Sequence, residues 1–463
     1  MHELLQNDLQ HLSTLLDEVK KMATDHFKSI EQARPGRYVD GIQNKSLHDK
    51  GEGTAQVLEY FKENVVPKLA HSTGPNYFGF VTGGSTPASL IGDQLVSIFD
   101  QNAFGSHDSI APLIEHQTID FLKQLFGLEE SFDGSFVTGA TMSNFVSLAI
   151  ARQWAGEQQG IDVSQDGAST LSRQVVSATA HSSSIKALSM LGIGRKNWRN
   201  IDTLPEREAI DVDKLESFLS SHPQQSIIVI ANAGTVNTGD FDDLLALGKL
   251  KEKYNFWLHV DAAFGGFAAL SPKHQHLMEG INYADSITID AHKWLNVPYD
   301  AAMQFTKHKK LQGKVFQNTA AYLSDASVSP DFFHYTPENS RRWRALPTWF
   351  TLMAYGKEGH AEIVQRNCEA AEHFGELLKQ STEFTLLAPV QLNIVCFTLN
   401  EEQLSSQQIS HFLSLVRDHG KVFFTPTVYK GKPAIRAAIS NWLTDNNHMD
   451  TAFHILHEVR KKM

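Results

Sequence analysis

Apolar residues in the first part of the chain recur at the spacing of a helix face. The residues that share this face are Leu4, Leu5, Leu9, Leu12, Leu15, Leu16 and Val19. This period predicts helices up to about Leu69, which we assign to an N-terminal helical arm of residues 1–70. An apolar helix face is stable in water only when another surface covers it, so we expect the arm to pack against a further surface.

Beyond the arm, short apolar runs alternate with helical segments. The runs cover residues 175–176, 227–230, 257–260, 287–289 and 301–305. This alternation predicts an α/β fold with a mostly parallel sheet covered by helices, in a large domain of residues 71–350. A helix then leads to the apolar runs 392–397 and 434–440. We assign this last region to a smaller C-terminal α+β domain of residues 351–463.

Composition narrows the class of protein but does not point to a particular reaction. The chain has 463 residues, 41% of them hydrophobic, which is enough for a large core in more than one domain. Cys368 and Cys396 are the only cysteines, so we expect no disulfides and a reducing compartment. No apolar run could span a bilayer and no signal peptide is evident, so we expect a cytoplasmic protein without a membrane partner. The net charge of -11 argues against nucleic acid as a partner.

One lysine follows an apolar, β-rich run and stands directly after a histidine. The run covers residues 286–289, and Asp290, His292 and Lys293 follow it. A lysine amine attacks carbonyl groups well when burial or a neighbouring charge lowers its pKa, and the end of a buried strand provides such a setting. Taken alone, a lysine in this position is more often a solvent-exposed residue at the end of a strand than a catalytic one.

Two upstream segments change this balance. Asp261 ends the apolar run 256–260 and precedes two alanines. Its carboxylate could hold a positive charge on a cofactor, while Ala263 would let a flat group lie close. As an alternative, Asp261 could cap the next helix.

Further upstream, residues 134–138 predict a short strand, and residues 139–144 open a helix with small and hydroxyl side chains. Such a helix start suits a phosphate. An ordinary helix cap is the alternative, and no nucleotide-binding glycine motif is present.

These three segments, in this order, resemble the group II pyridoxal-phosphate-dependent decarboxylases, which include aromatic-L-amino-acid, histidine and glutamate decarboxylases. The resemblance runs from about His71 to the C-terminal region. Its most specific parts are residues 181–187, 234–235, 241–242, 258–263 and 284–294. It implies the fold type I of pyridoxal-phosphate-dependent transferases, pyridoxal 5'-phosphate as the cofactor, an amino acid as the substrate and a homodimer.

The resemblance also implies roles around the cofactor ring. Lys293 would bind the cofactor covalently through its amine, and Asp261 would keep the pyridine nitrogen protonated, so that the ring accepts the electrons left when carbon dioxide departs. His181 would stack on one face of the ring and Ala263 would pack beneath the other. Thr235 would lie near the ring substituents. As an alternative, His181 could only cap the helix that follows it.

The phosphate of the cofactor would lie at the helix start. Ala140 and Thr141 would hold it, with help from His292. Asp290 departs from the family pattern, where asparagine is frequent, and its role does not follow from the sequence. His259 and Asp261 share one face of a strand, which raises the possibility of a metal site, but no second pair of ligands is grouped nearby and we expect no metal.

A segment without periodicity, residues 316–341, has the character of a mobile lid. Tyr322 within it matches the family tyrosine that protonates the α-carbon after the carboxylate is lost. Because relatives with phenylalanine there form aldehydes, Tyr322 favours simple decarboxylation. A loop tyrosine without any role is the alternative.

Candidate substrate contacts are Phe80, Thr82, Asn102 and Arg436. The signals conflict, because Ala70 stands where aromatic-specific relatives carry tryptophan, and the surroundings of Asn102 resemble the branch that acts on acidic amino acids. Arg436 could bind a substrate carboxylate or form a structural salt bridge.

We therefore expect a homodimeric enzyme that converts an L-amino acid to its amine and carbon dioxide, with an active site at the subunit boundary. Aldehyde synthesis or an aminotransferase-like reaction on the same lysine is one alternative. A non-catalytic relative that acts as a binding subunit is the other.

Overall fold

The structure is a computed structural model that describes residues 1–39, 41, 46–47, 49–105, 109–318 and 331–463. Its helices are α1 Glu3–Gln10, α2 Leu12–Ser29, α3 Thr54–Asn64, α4 Pro87–Phe99, α5 Ala111–Phe126, α6 Ala140–Glu157, α7 Val163–Asp166, α8 Ser182–Met190, α9 Val212–Ser221, α10 Leu244–Lys253, α11 Ala291–Trp294, α12 Lys309–Phe316, α13 Ala345–Gln380, α14 Ser406–His419 and α15 Asn446–Arg460. Its strands are β1 Asp133–Val137, β2 Arg173–Ser177, β3 Trp198–Asn200, β4 Ser226–Asn232, β5 Phe256–Asp261, β6 Ser286–Ile289, β7 Ala302–Thr306, β8 Phe384–Leu386, β9 Ile394–Leu399, β10 Thr425–Tyr429 and β11 Lys432–Ala438.

The larger sheet has seven strands in the order β1-β7-β6-β5-β4-β2-β3. Neighbouring strands from β6 to β3 are parallel, while β7 is antiparallel to both β1 and β6. Helices cover both faces, so strands β4 to β7 are buried at every position and consist mainly of apolar residues. The prediction of a mostly parallel sheet covered by helices is confirmed.

Parallel pairing brings the carboxyl ends of several strands to one edge of this sheet. Asp261 at the end of β5 pairs with Asn232 of β4 on one side and with Thr288 of β6 on the other. The segments that follow these strands, and the starts of α6 and α8, therefore meet at the same edge. This is the edge at which open α/β sheets bind ligands.

The smaller sheet is antiparallel throughout, in the order β10-β11-β9-β8. Apolar residues of α13, α14 and α15 pack with it into a separate core, and Phe78 from the region before α4 joins this core. Helix α13 runs across the predicted boundary at residue 350 and bends at Gly356, whose φ is 59°. The domain boundaries at residues 70 and 350 remain predictions.

Helices α1, α2 and α3 bury none of their residues within this chain. Leu9 on α1 is 63% exposed and Leu16 on α2 is 52% exposed. The apolar face expected from the sequence therefore exists, and the chain itself does not cover it. Within the described ranges, no helix is long and apolar enough to cross a membrane.

A buried ion pair ties three parts of the large region together. The guanidinium of Arg341 lies 2.8 Å from the carboxylate of Glu115 on α5, and both side chains are fully buried. Arg341 also donates to the carbonyl groups of Ala103 and Phe136, at 2.6 and 2.8 Å, and Glu115 accepts from the amide of Phe136 at 2.9 Å. Since each charge has several partners, loss of either one leaves the other buried and unpaired.

We predict that Glu115→Ala lowers the free energy of unfolding by about 3–5 kcal/mol, because the Arg341 guanidinium loses its counter-charge. Urea unfolding of the cofactor-free protein measures this change. Glu376→Ala is the matched control, since it breaks the exposed pair with Lys379 and should cost less than about 1 kcal/mol. Equal losses in the two variants would contradict a special role for the buried pair.

Candidate active site

A cavity of about 180 Å³ lies at the carboxyl edge of the large sheet. Seven of the residues predicted from the sequence line it: Phe80, Ala140, His181, Asp261, Ala263, Lys293 and Arg436. Seven further lining residues were missed: Val81, Thr179, Ser183, Asn232, Gly234, Val236 and Phe264. Four of them lie in or next to segments that the sequence already singled out, and the fold brings Thr179, Asn232 and Val236 to the same cavity.

Lys293 is held in α11, the short helix that follows β6. Within the described part of the chain its Nζ has no hydrogen bond and no salt bridge, and it lies 5.7 Å from the centroid of the Phe264 ring. The neighbouring Trp294 is buried, and its ring nitrogen donates to Asn367 at 2.8 Å. The helix is thus anchored by its apolar neighbour while the amine stays available for reaction.

The carboxylate of Asp261 is oriented by two donors. The side-chain amide of Asn144 donates to Oδ2 at 2.9 Å, and the backbone amide of Ala263 donates to Oδ1 at 3.2 Å. Asn144 is a site residue that sequence reasoning missed. Its position four residues after Ala140 on α6 places both on one helix face, a signal that could have found it.

His181 has two functions in the structure. It is the N-cap residue of α8, and its Nδ1 accepts from the amide of Ser183 at 3.2 Å. It also lines the cavity, where burial lowers the pKa of its imidazole. The predicted helix cap is present, and the predicted stacking on a cofactor ring stays a prediction that the position in the cavity allows.

The start of α6 provides the predicted cradle for an anion. Gly139 is the N-cap residue and offers no side-chain hydrogen bond to the helix. A Cβ atom on Gly139 would lie 3.3 Å from Cε1 of His292, so a small residue leaves room for that imidazole. Ala140 and Thr141 form the first turn, and His292 lies beside it. The three residues predicted to bind a phosphate are neighbours, although only Ala140 lines the cavity.

Asp290 connects this helix start to His292. Its Oδ2 accepts from the amide of Ala140 at 3.1 Å, and its Oδ1 lies 3.0 Å from Nδ1 of His292. Burial raises the pKa of the Asp290 carboxyl and lowers the pKa of the His292 imidazole. The carboxylate that the sequence left unexplained therefore caps α6 and lies beside His292, although its Oδ1 forms no hydrogen bond within the described residues.

Thr82 reaches the site indirectly. The hydroxyl of Tyr299 donates to Oγ1 of Thr82 at 2.8 Å, and the ring of Tyr299 lies 4.3 Å from the ring of His292. Thr82 itself is buried and does not line the cavity. Its contact with a substrate remains a prediction.

Three other predicted residues lie away from the cavity lining or outside the described part. The hydroxyl of Thr235 donates to the buried carboxylate of Glu208 at 2.6 Å. Asn102 is exposed and accepts from the backbone amide of Arg341 at 2.8 Å. Tyr322 lies outside the described residues. The predicted roles of all three remain predictions.

Arg436 is buried on β11 and lines the cavity. Its terminal nitrogens donate to the carbonyl groups of Val236 and Gly79, at 3.2 and 2.8 Å. Its Nε is buried without a hydrogen bond, and none of the described residues forms a salt bridge with it. A cation that is held by neutral carbonyl groups keeps its charge available for an anionic ligand.

The side chains around the cavity fit pyridoxal phosphate. Lys293 supplies an unpaired amine for its aldehyde, Asp261 supplies a carboxylate for its ring nitrogen, and the start of α6 supplies the positive end of a helix dipole for its phosphate. The small side chain of Ala263 leaves room for a flat ring. Among the described residues, no group of three or more histidine, cysteine or acidic side chains could hold a metal ion.

Comparison with known proteins agrees with this geometry. The sequence profile of the pyridoxal-dependent decarboxylase conserved domain matches residues 35–400. The aromatic-L-amino-acid decarboxylase of Bacillus atrophaeus is 28% identical over 471 residues, covering 97% of this chain and 95% of the relative. The phenylacetaldehyde synthase of Arabidopsis thaliana is 27% identical over 455 residues, covering 94% of this chain and 92% of the relative.

The fold has a close counterpart among solved structures. The crystal structure of Oryza sativa TDC with PLP and tryptamine has a TM-score of 0.90 to this chain, with 23% identity and 98% of each chain covered. This likeness confirms the predicted fold type I arrangement. The matched residues 35–400 span well over half of the chain and contain every strand of the large sheet. The chain therefore belongs to the pyridoxal-dependent decarboxylase family.

Proposed function

We propose that this pyridoxal-phosphate-dependent decarboxylase acts on an aromatic L-amino acid and releases carbon dioxide and the corresponding amine. The observation that carries the proposal is one cavity that holds an unpaired amine, Lys293, together with the carboxylate of Asp261. When bound, the cofactor supplies an electron sink for the electron pair that carbon dioxide leaves behind.

The roles of individual residues follow from their positions. Lys293 would hold the cofactor through its amine. Asp261 would hold a proton at the ring nitrogen, a role supported by its two amide donors, which keep the carboxylate turned as an acceptor. His181 and Ala263 would confine the ring. Thr235 is assigned to the segment near the ring substituents, which it would orient through its hydrogen bond to Glu208.

The phosphate is assigned to the start of α6. Thr141 provides a backbone amide group at the positive end of the helix dipole, and His292 adds a side-chain donor from the next segment. Ala140 lines the cavity beside them, while its own amide donates to Asp290. Support comes from the lack of a side-chain cap at Gly139 and from the contact between Asp290 and His292.

Tyr322 is proposed to deliver a proton to the α-carbon after carbon dioxide leaves. The support is its match to the family position. This step separates two outcomes, because protonation yields an amine, whereas reaction with dioxygen yields an aldehyde, ammonia and hydrogen peroxide. The likeness to an aldehyde synthase makes that second outcome the alternative function.

The lining of the cavity favours an aromatic substrate. Phe80, Val81, Val236 and Phe264 present apolar surface, and Arg436 offers one cationic group for a carboxylate. An acidic substrate has a second carboxylate, which would need a second cation. Lys293 is the only other cation in the described lining, and it is assigned to the cofactor. Asn102, whose surroundings suggested the acidic branch, does not line the cavity of its own chain.

We also propose a homodimer with the active site at the subunit boundary. The uncovered apolar face of the N-terminal arm supports it, together with exposed apolar residues on α4 and α5. Those residues are Ile91, Ile98, Phe99 and Leu113. Phe80 lines the cavity and is nevertheless 60% exposed, as expected of a residue that a second subunit covers.

A cytoplasmic location is proposed on the chemistry of the cysteines. Cys368 and Cys396 are both free and buried. Burial raises the pKa of the Cys396 thiol to about 12, which keeps the thiol in its unreactive protonated form.

We predict that the enzyme, incubated with the standard amino acids and common aromatic derivatives, forms amine and carbon dioxide in equal amounts, with the highest kcat/KM for aromatic substrates. Mass spectrometry and peroxide assays measure the products. Stoichiometric peroxide from the wild type would exclude simple decarboxylation, and a preference for acidic substrates would refute the proposed class.

Lys293→Ala should abolish the covalent bond to the cofactor and lower kcat more than about a thousandfold. Lys379→Ala, at an exposed lysine, serves as the control.

Tyr322→Phe should divert the products to aldehyde, ammonia and peroxide, because the proton donor is lost while the electron sink remains. The partly exposed Tyr283 is the matched control, and Tyr283→Phe should leave the products unchanged. If Tyr322→Phe still forms only amine, another group delivers the proton.

We predict that sedimentation equilibrium gives a mass of about twice 51.6 kDa, and that the double variant Leu9→Glu, Leu16→Glu shifts the protein to monomers with reduced activity, because two charges then lie in the apolar face. Val428→Glu is the control, since Val428 is 55% exposed on β10 and lies outside the two helices that carry the substitutions. A fully active wild-type monomer would overturn the dimer proposal.

A further inference from the structure

A line of buried polar side chains runs behind the cavity and ends at Asp261. The indole nitrogen of Trp257 donates to Oγ of Ser286 at 3.0 Å, and this Oγ lies 2.9 Å from Nδ1 of His259. Nε2 of His259 lies 2.9 Å from Oδ1 of Asn144, whose Nδ2 donates to Asp261 at 2.9 Å. All five side chains are buried, and of these only Asp261 lines the cavity.

The two ends of this line limit the direction of every hydrogen bond in it. The indole of Trp257 can only donate, and the carboxyl oxygens of Asp261 accept from Asn144 and from the backbone amide of Ala263. Asn144 must therefore turn its NH₂ group toward Asp261 and its oxygen toward His259. Thr288 donates to the same oxygen at 2.8 Å, which is consistent with this orientation of the amide.

His259 in the middle of the line has one possible protonation pattern. Burial lowers its pKa to about 4, so the ring is neutral near pH 7 and carries a single proton. Because the oxygen of Asn144 only accepts, that proton is on Nε2. Nδ1 is then bare and accepts the hydroxyl proton of Ser286, whose oxygen accepts from Trp257. Each donor in the line has an acceptor.

A branch of the same line reaches His181. Nδ2 of Asn144 also donates to Oγ of Ser183 at 3.0 Å, and this Oγ lies 2.7 Å from Nδ1 of His181. The hydroxyl proton of Ser183 is therefore directed at Nδ1, which also receives the backbone N–H of Ser183 at 3.2 Å. A neutral His181 with two donors at Nδ1 carries its own proton on Nε2.

We propose that Asn144 is a positioning residue of this enzyme, whose single amide group keeps Asp261 turned as an acceptor and holds His181 in its Nε2–H form through Ser183. The proposal rests on the roles assigned above to Asp261 and His181. It gives the interior of α6 a function in addition to the phosphate site at its start. The line from Trp257 through His259 fixes which way the amide faces.

An isosteric substitution separates this electrostatic role from packing. Asn144→Asp preserves shape but places a second carboxylate 2.9 Å from Asp261, whereas Asn144→Ala leaves a small cavity and no charge. The charged or titratable groups near Asp261 are His259 on its own strand, His181 on α8, and Asp290 and Lys293 after β6. None of these groups can donate a permanent hydrogen bond between Asp261 and the introduced carboxylate. The two carboxylates must therefore share a proton.

The first test measures cofactor affinity by titrating cofactor-free protein with pyridoxal phosphate between pH 6 and 8. At pH 8 we expect Asn144→Asp to bind at least about tenfold more weakly than Asn144→Ala, and the gap to narrow toward pH 6 as the carboxylates share a proton. Asn393→Asp is the control, because Asn393 is also buried and donates to the carbonyl of Ile439 at 2.9 Å, away from the cavity. Its pH profile should parallel the wild type. Binding by Asn144→Asp as tight as by Asn144→Ala at every pH overturns the proposal.

The second test requires no variant at position 144 to fold. Nitrogen-15 NMR of wild-type protein with labelled histidine should show both His259 and His181 protonated at Nε2, with His259→Gln and His181→Gln assigning the signals. A proton on Nδ1 of His259 overturns the proposal. Failure of the wild type to bind the cofactor refutes the proposed function instead, because the tautomers are measured without it.

Discussion

The parallel register of β4, β5 and β6 is the constraint on which the active site depends. Because Asp261 pairs with Asn232 on one side and Thr288 on the other, the ends of three strands are level, and the segments after them open into one cavity. Lys293 follows β6 closely enough for its amine to reach the same space as the Asp261 carboxylate. A slip of one residue in any of these pairs would turn Asp261 to the other face of the sheet.

This geometry requires polar groups in a largely apolar interior, and the chain satisfies them with one another. Asn144, His259 and Ser286 are completely buried, yet each has hydrogen-bond partners on neighbouring elements. Asp290 does the same at the phosphate end, between the start of α6 and His292. Such groups cost free energy when unpaired, so the network that orients the site also makes the surrounding fold specific.

Residues from both regions of the chain line the cavity. Arg436 comes from the smaller antiparallel sheet, and it reaches the cavity by donating to the carbonyl groups of Val236 and Gly79. The uncovered arm and the exposed Phe80 are the surfaces on which the proposed dimer rests. The cavity is thus the meeting point of two sheets and, in the proposed dimer, of two subunits.

The sequence alone determined the α/β class, the helical arm, the cofactor and seven residues of the cavity, because apolar periodicity and short motifs are local properties of the chain. It did not reveal that β7 is antiparallel, that Thr82 accepts a hydrogen bond from Tyr299, or that Thr235 donates to Glu208. Tertiary structure decided these points, since each depends on residues distant in sequence, as Asn144 and Asp261 are, 117 positions apart. The spacing of Asn144 from Ala140 marks its helix face, but the partner of its amide follows only from the packing of α6 on β5.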